Sequence, residues 1–338
     1  MTVQAIILAA GQGTRMNSVT PKVLHALLGR PMVWYPVETV QQATSTRPVM
    51  IIGHGGEEVR RVLGDAVDFI LQEPQMGTGH AVAQAKTFLQ GKSDFILVTY
   101  ADMPLLKTET ISRLIKAQQT HQGPITMLTV IDKDARGFGR VVRDENGFVK
   151  AIVEEAQATP DQLAIQELNA SVYCFSASWL WDNIDRIPVS PKGEYYLTDM
   201  VGIATASGQS VQAFVMDDNR ETIGVNTRVH LAEAEKAMRE RINEYWMLEG
   251  VTLIDPATTF IEPGVTLGRD TIVWPNTYLQ GKTVIGEGCI LGPNTIIQST
   301  TVGDHCKILA SVLEKAVVED NVQIGPFGHL RSGAHLAT

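Results

Sequence analysis

Leu8-Ala9-Ala10-Gly11-Gln12-Gly13-Thr14-Arg15-Met16, with Pro21-Lys22 soon after, is the stretch on which the reading of this 338-residue chain turns. It continues the apolar Ile6-Ile7, so it opens as a short buried strand and then breaks into a glycine loop. Without Cβ atoms, Gly11 and Gly13 let backbone N–H groups approach a bound anion closely. Thr14 adds a hydroxyl, and Arg15 and Lys22 add positive charge. Strand, glycine turn and cations make a cradle for a polyphosphate. The glycines alone are a weak signal. The loop lacks the third glycine of the dinucleotide fingerprint and the Gly-Lys-Ser/Thr ending of a P-loop. An ordinary strand-to-helix turn has the same outline.

Working outward, apolar runs at 49–52, 69–71, 95–98 and 125–130 read as further buried strands. Helical stretches are expected over about 31–43, with Pro31 in the first turn and Pro36 as a kink, and then over 57–63 and 81–89. Strands alternating with helices imply a mostly parallel α/β sheet covered on both faces. Ligands of such sheets gather at the carboxyl ends of strands. Polar clusters fall there: Gln72-Glu73-Pro74-Gln75-Met76-Gly77-Thr78-Gly79-His80 after the third strand, and Thr99-Tyr100-Ala101-Asp102 after the fourth. The Gln72 amide donates and accepts at once and could read a base edge. Equally, Thr78 could be a plain helix N-cap, with His80 packing or capping. A carboxylate at a strand tip suits a hard cation, although Asp102 could instead cap the helix beginning near Thr108. A hairpin-like section is expected from 137 to 153 with its turn at Glu145-Asn146-Gly147; Glu155 and Asp161 read as solvated loop. Asn226 alone reads as a helix N-cap.

Residues 231–248 form a helical stripe that Gly250 should stop. The period then changes. Leu267, Val273, Leu279, Ile285, Leu291 and Ile297 recur every six residues, and after a slip Val302, Ile308, Val318, Ile324, Leu330 and Leu336 continue. Thr271, Thr277, Thr283, Cys289, Thr295 and Cys306 fill the slot four after each aliphatic, so the two cysteines read as small interior packing. Such a period, with glycine beside the aliphatic, signals a parallel β-helix. Residues from about 261 onward should supply roughly four coils.

Composition narrows the function. A net charge of −9 argues against nucleic acid as a partner. It does not exclude anionic small molecules, since local cations reverse the field inside a cleft. Three cysteines without a Cys-x-x-Cys spacing argue against disulfides and thiolate zinc and fit a reducing cytoplasm. No run approaches a membrane span, and the N-terminus lacks a signal-peptide pattern.

The string LAAGQGTRM followed by PK resembles the signature of sugar-nucleotide pyrophosphorylases, which join a nucleoside triphosphate to a sugar 1-phosphate. With the hexapeptide solenoid, the whole chain resembles the bacterial N-acetylglucosamine-1-phosphate uridyltransferases, a bifunctional family carrying an acetyltransferase site on its solenoid. The resemblance implies a Rossmann-like nucleotidyltransferase domain at 1–228, a helical arm at 229–250 and part of a left-handed β-helix at 251–338. It implies Mg²⁺ on Asp102 and Asn226, with Arg15 and Lys22 acting on the phosphates. Leu8, Ala9, Ala10, Gly11, Gly13 and Tyr100 would line the substrates, and Gln72, Gly77 and Thr78 would recognise uracil. Gly139, Glu154 and Asn169 would hold the acetamido sugar. The substrates implied are UTP and N-acetylglucosamine 1-phosphate, the products UDP-N-acetylglucosamine and pyrophosphate, and the assembly a homotrimer. Two positions depart from the family pattern: Ala101 stands for the usual glycine, and Ala170-Ser171 for Thr-Gly. They keep open another sugar phosphate or nucleotide. A silent, nucleotide-sensing scaffold is the rival of a different class. The segment Leu330-Arg331-Ser332-Gly333-Ala334 resembles part of the acetyl-acceptor site. The later residues of that site have no counterpart, so a shortened chain without acetyltransferase activity is expected.

Overall fold

A computed structural model describes residues 1–337, and they divide into two compact units: 1–25 with 31–231, and 26–30 with the residues from 232 onward. In the first, nine strands form one sheet. They are β1 (Val3–Ala9), β2 (Val49–Ile52), β3 (Asp68–Leu71), β4 (Phe95–Tyr100), β5 (Ile125–Ile131), β6 (Arg140–Arg143), β7 (Val149–Val153), β8 (Glu167–Ser176) and β9 (Val211–Val215). The order is β9-β5-β8-β4-β1-β2-β3, with the β6–β7 hairpin attached to β8. β1 pairs in parallel with both β2 and β4, and within that order β8 is the strand antiparallel to those on either side of it. Side chains alternate between two cores. Ile6 and Leu8 join one layer and Ala5 and Ile7 the other, as period-two geometry requires. Because the chain leaves β1 in opposite directions toward β2 and β4, the carboxyl ends of β1 and β4 flank a topological switch point.

Several local expectations need correction. Pro31 belongs to a two-residue strand, Arg30–Pro31, and the first helix is Trp34–Thr44. Pro36 therefore lies in that helix's first turn, where its missing N–H has no intrahelical acceptor to lose, and it need not kink anything. The helix expected over 81–89 is two, Thr78–Gln84 and Lys86–Leu89. Glu155 is not merely solvated: it accepts both terminal nitrogens of the buried Arg140 guanidinium at 3.1 Å.

The second unit carries most of the helix Arg228–Leu248 and then three five-stranded parallel sheets, which make a left-handed β-helix. Inward Leu253, Val273, Leu291, Ile308 and Ile324 stack in one sheet, and equivalent columns fill the other two. Among the described residues there are five coils, about four from residue 261 onward as the period predicts and one more that begins before it. The first, starting at Thr252–Leu253, lacks the glycine pattern because an Asp255-capped 3₁₀ turn, Pro256–Thr258, makes its corner. The small-residue slot is buried throughout. Its hydroxyls turn back on corner carbonyls, as in Thr277 to Trp274 (2.6 Å) and Thr283 to Gln280 (2.7 Å), so burying them leaves no donor unpaired. Burial pushes the Cys289 thiol up to about 11, which fits packing. No helix among the described residues is long and apolar enough to cross a membrane.

Candidate active site

A cleft of about 560 Å³ opens at the switch point of the first unit. Leu8, Ala9, Ala10 and Gly11 form its floor, Tyr100 and Asp102 one wall, and Gln72, Gly77 and Thr78 another; Lys22 projects into it. Ten of the residues singled out in the sequence thus share one cavity although they span Leu8 to Asp102.

The glycine loop has two different reasons for its glycines. A Cβ on Gly11 would meet no protein atom within 4 Å, so its bare face is turned to open space. Gly13 has φ +63°, and a Cβ there would lie 2.7 Å from Lys22 Cβ. Gly13 is therefore what lets Lys22 fold back over the loop. The Lys22 ammonium donates to Asp102 Oδ2 (2.5 Å) and to Asn226 Oδ1 (3.0 Å), and both Lys22 and Asp102 side chains are largely buried.

Two backbone features place that pair of oxygens. Asp102 is free of capping duty, because the helix Thr108–Thr120 has Lys107 as its N-cap with no side-chain bond. Val225 N–H donates to the Asp102 carbonyl (2.8 Å) and brings Asn226 alongside. Asn226 is not the cap of the following helix either. Thr227 Oγ1 takes the His230 N–H (3.2 Å). Ala101, the first departure from the family pattern, points its methyl into the core layer with Met103 and Leu106, not into the cleft.

A cation held between a carboxylate and an amide oxygen is the arrangement a divalent metal would use. Among the described residues no cluster of three or more His, Cys, Asp or Glu could hold a metal unaided. One carboxylate and one amide fit an ion such as Mg²⁺, which retains waters and substrate phosphate oxygens in its shell.

On the opposite wall, Gln72 is 4% exposed and its amide nitrogen donates to the Gly77 carbonyl (2.9 Å). Thr78 is not an N-cap: its hydroxyl accepts the Leu197 N–H (3.0 Å) and bonds the Tyr100 phenol. Burial first, and the Asp102 carboxylate second, push the Tyr100 phenol far above its ordinary range, so Tyr100 stays neutral. Gly77 sits at φ +95°, and a Cβ would strike the Tyr195 carbonyl at 2.6 Å.

Gly139, Glu154 and Asn169 do not line this cavity but cluster together. Asn169 N–H donates to the Gly139 carbonyl (2.8 Å), and a Cβ on Gly139 would lie 3.8 Å from Glu154 Oε1. Glu154 accepts from Thr198 (2.9 Å), and it adds to the burial that raises the Asp199 carboxyl. The Asn169 amide is already engaged, donating to the Tyr173 phenol (2.7 Å) and accepting Ser171 N–H (3.0 Å). Ser171 stands in a β-bulge at φ +61°, the left-handed region that glycine occupies freely. The second departure from the family pattern thus falls where the backbone most favours glycine, and the Asn169 side chain holds the turn in its place. Arg15 lies apart, exposed on the 3₁₀ turn Thr14–Met16 and outside the cavity lining.

Reading the sequence missed Gln12, Gln75 and Glu194 as cleft residues. The first two sit inside the quoted loops, so adjacency was the available signal. Tyr195 and Tyr196 belong to the string Gly193-Glu194-Tyr195-Tyr196-Leu197-Thr198-Asp199, whose resemblance to a family motif implies an aromatic pair supporting the sugar pocket by packing; the pair splits, Tyr195 packing against His80 with ring centroids 6.3 Å apart and Tyr196 facing the cleft.

Comparison with known proteins follows the same division. Residues 5–183 match the MobA-like NTP transferase domain, and residues 264–299 match the bacterial transferase hexapeptide (six repeats). The bifunctional protein GlmU of an Exiguobacterium sp. is 45% identical over 98% of this chain and 74% of its own length. That of Bacillus subtilis is 42% identical over 97% and 72%. Among solved structures, a putative glucose-1-phosphate thymidylyltransferase from Bacillus anthracis superposes with a TM-score of 0.59 at 22% identity, covering 71% of this chain and 96% of its own. That likeness bears on the fold alone.

Proposed function

The chain belongs to the bifunctional GlmU family of sugar-1-phosphate nucleotidyltransferases and is a uridylyltransferase, and from that premise we propose that it makes UDP-N-acetylglucosamine and pyrophosphate from UTP and N-acetylglucosamine 1-phosphate, in the cytoplasm, for cell-wall precursors. The observation that carries this reading is the convergence in one cleft of an open glycine loop, a buried Gln72 and the Lys22–Asp102–Asn226 set.

The triphosphate lies over the loop of Gly11 and Gly13, where Gly11 turns its bare face to open space. Uracil meets Gln72, Gly77 and Thr78, with Leu8, Ala9, Ala10 and Tyr100 as walls. The sugar phosphate is already ionised, so no side chain has to remove a proton from it. One of its oxygens attacks the α-phosphorus as the bond to the α–β bridging oxygen breaks, and pyrophosphate leaves with that electron pair. The obstacle is bringing anions together in line. Lys22 answers it by turning from Asp102 onto the phosphates, and Arg15 closes from the loop. Asp102 and Asn226 would hold Mg²⁺, which when bound would supply charge neutralisation and orient the phosphate oxygens. Gly139 N–H, Glu154 and Asn169 take the acetamido sugar. Asn169 must exchange its Tyr173 bond to do so, whereas Glu154 already presents acceptors that sugar hydroxyls match.

The catalytic head spans 1–228, the arm 229–250 and the solenoid 251–338. Oligomerisation through the solenoid gives a homotrimer. Phe260, Tyr278, Ile296 and Val312 stack outward in one sheet and supply an apolar column for it, its first two rings parallel at 4.5 Å. Pyrophosphate release measured with a panel of sugar phosphates and nucleotides tests the assignment. Release with UTP and N-acetylglucosamine 1-phosphate at least tenfold above any other pair is expected. Equal turnover with glucose 1-phosphate or another nucleotide would overturn it.

A further inference from the structure

His80 lies outside the cleft and outside every role given above, yet both faces of its imidazole are engaged. Its Nδ1 is 3.0 Å from the Gln72 amide nitrogen, and its Nε2 is 3.0 Å from the Gln84 side-chain amide. The same Gln72 nitrogen donates to the Gly77 carbonyl at 2.9 Å. A carbonyl only accepts, so that end of the amide is the NH₂. Its second hydrogen then needs an acceptor, and His80 Nδ1 is the group that stands there. The imidazole proton is thereby directed to Nε2, toward the Gln84 side-chain amide, whose nitrogen also reaches the His80 carbonyl at 3.3 Å and gives up that longer bond when the amide turns its oxygen to Nε2–H. Both hydrogens of Gln72 are spent inside the protein. Its Oε1 has no protein partner among the described residues and remains on the cleft wall.

We propose that His80 is a positioning residue for nucleotide selection: with the Gly77 carbonyl it locks the Gln72 amide so that only its oxygen faces the base. The inference rests on the reading that Gln72 meets uracil. An obligate acceptor at that point matches N3–H, the one donor on the pairing edge of uracil. It opposes cytosine, which puts a lone pair at N3. Free to rotate by half a turn, the same amide would offer a donor and tolerate cytosine. A site that leaves a buried polar group facing its like rejects the wrong ligand more strongly than one that merely lacks a contact. The lock is therefore worth more in discrimination than in affinity.

The test compares kcat/KM for UTP and CTP, with the same sugar phosphate, in the full chain and in His80→Leu, His80→Asn and Gln72→Leu. Loss of the Nδ1 acceptor in His80→Leu should cut the UTP/CTP ratio by about tenfold, mostly through a rise in kcat/KM for CTP. His80→Asn, whose Oδ1 replaces Nδ1 as acceptor, should keep the ratio within about threefold of the parent. His80→Ala serves in place of the leucine variant should that fail to fold, with thermal unfolding as the check. A folded His80→Leu or His80→Ala that changes both nucleotides equally, or neither, and so leaves the UTP/CTP ratio as in the parent overturns the proposal. A collapsed ratio in Gln72→Leu beside an unchanged one in the His80 variants overturns it alone. An unchanged ratio in Gln72→Leu overturns the reading of Gln72 as well.

Discussion

Lys22→Met should tighten the binding of a divalent ion to the free protein while weakening catalysis. The Lys22 ammonium, 2.5 Å from Asp102 and 3.0 Å from Asn226, occupies the place between the two oxygens that a metal would need. Opposite unit charges about 4 Å apart attract by ~4 kcal/mol at the effective dielectric of a partly buried pair. Rehydration of both groups returns part of that. The net worth of a charge-assisted contact is ~1.5–3 kcal/mol. That is the cost of clearing the site in the parent protein. Methionine keeps the stem that packs over Gly13 and removes the charge, so the cost vanishes. Every 1.4 kcal/mol is tenfold, so Mn²⁺, counted by its electron paramagnetic resonance signal in the absence of nucleotide, should bind Lys22→Met about 10- to 100-fold more tightly. With UTP and sugar phosphate present, kcat should fall by about 10²- to 10³-fold, the usual loss for one preorganised charge. Mn²⁺ affinity unchanged or weakened in Lys22→Met would refute the reasoning, since the ammonium would then not be holding the metal's place.

Gly13→Ala should act through the same lysine: at φ +63° with Lys22 Cβ 2.7 Å away, the added methyl strains the loop by ~1–2 kcal/mol and displaces Lys22, lowering both Tm and kcat. Gly77→Ala, at φ +95° and against the Tyr195 carbonyl, should raise KM for UTP more than it lowers kcat, as steady-state kinetics would reveal. Asp218 is held well below the usual carboxylate range, chiefly by the Arg220 side chain and then by Lys107. A depressed folded value contributes stability above the ordinary carboxylate pKa and loses it as pH falls toward the folded one. Urea unfolding should therefore show Asp218→Asn losing about 1 kcal/mol at pH 7, after solvent screening, and progressively less as the pH is lowered below the ordinary carboxylate range.

The parts of the site visible in the sequence are those that a strand end carries locally. Leu8 to Gly13 and Tyr100 to Asp102 follow apolar runs that can only be buried strands, and the crevice of an α/β sheet lies beyond such ends. The solenoid was visible through its period, which continues into every coil with hexapeptide chemistry. Its first coil was hidden because the 3₁₀ corner at Pro256–Thr258 carries none. Pairings across the chain were hidden too. Nothing near Asn226 hints that it meets Lys22, since that contact depends on a backbone bond from Val225 to Asp102. The engagement of Asn169 by Tyr173 and the lock of His80 on Gln72 likewise exist only after folding. Ser171 at φ +61° shows the opposite case, in which a residue type alone would have argued against the conformation it adopts.

The account turns on one cleft that holds the nucleotide and the metal together. A crystal structure of the protein with UDP-N-acetylglucosamine and Mg²⁺ tests it most directly. It should show the ion coordinated by both Asp102 and Asn226 at about 2.1 Å, with Lys22 withdrawn toward the diphosphate and uracil N3–H on Gln72 Oε1. An ion bound elsewhere, or Lys22 still seated on Asp102 with the product in place, would contradict it.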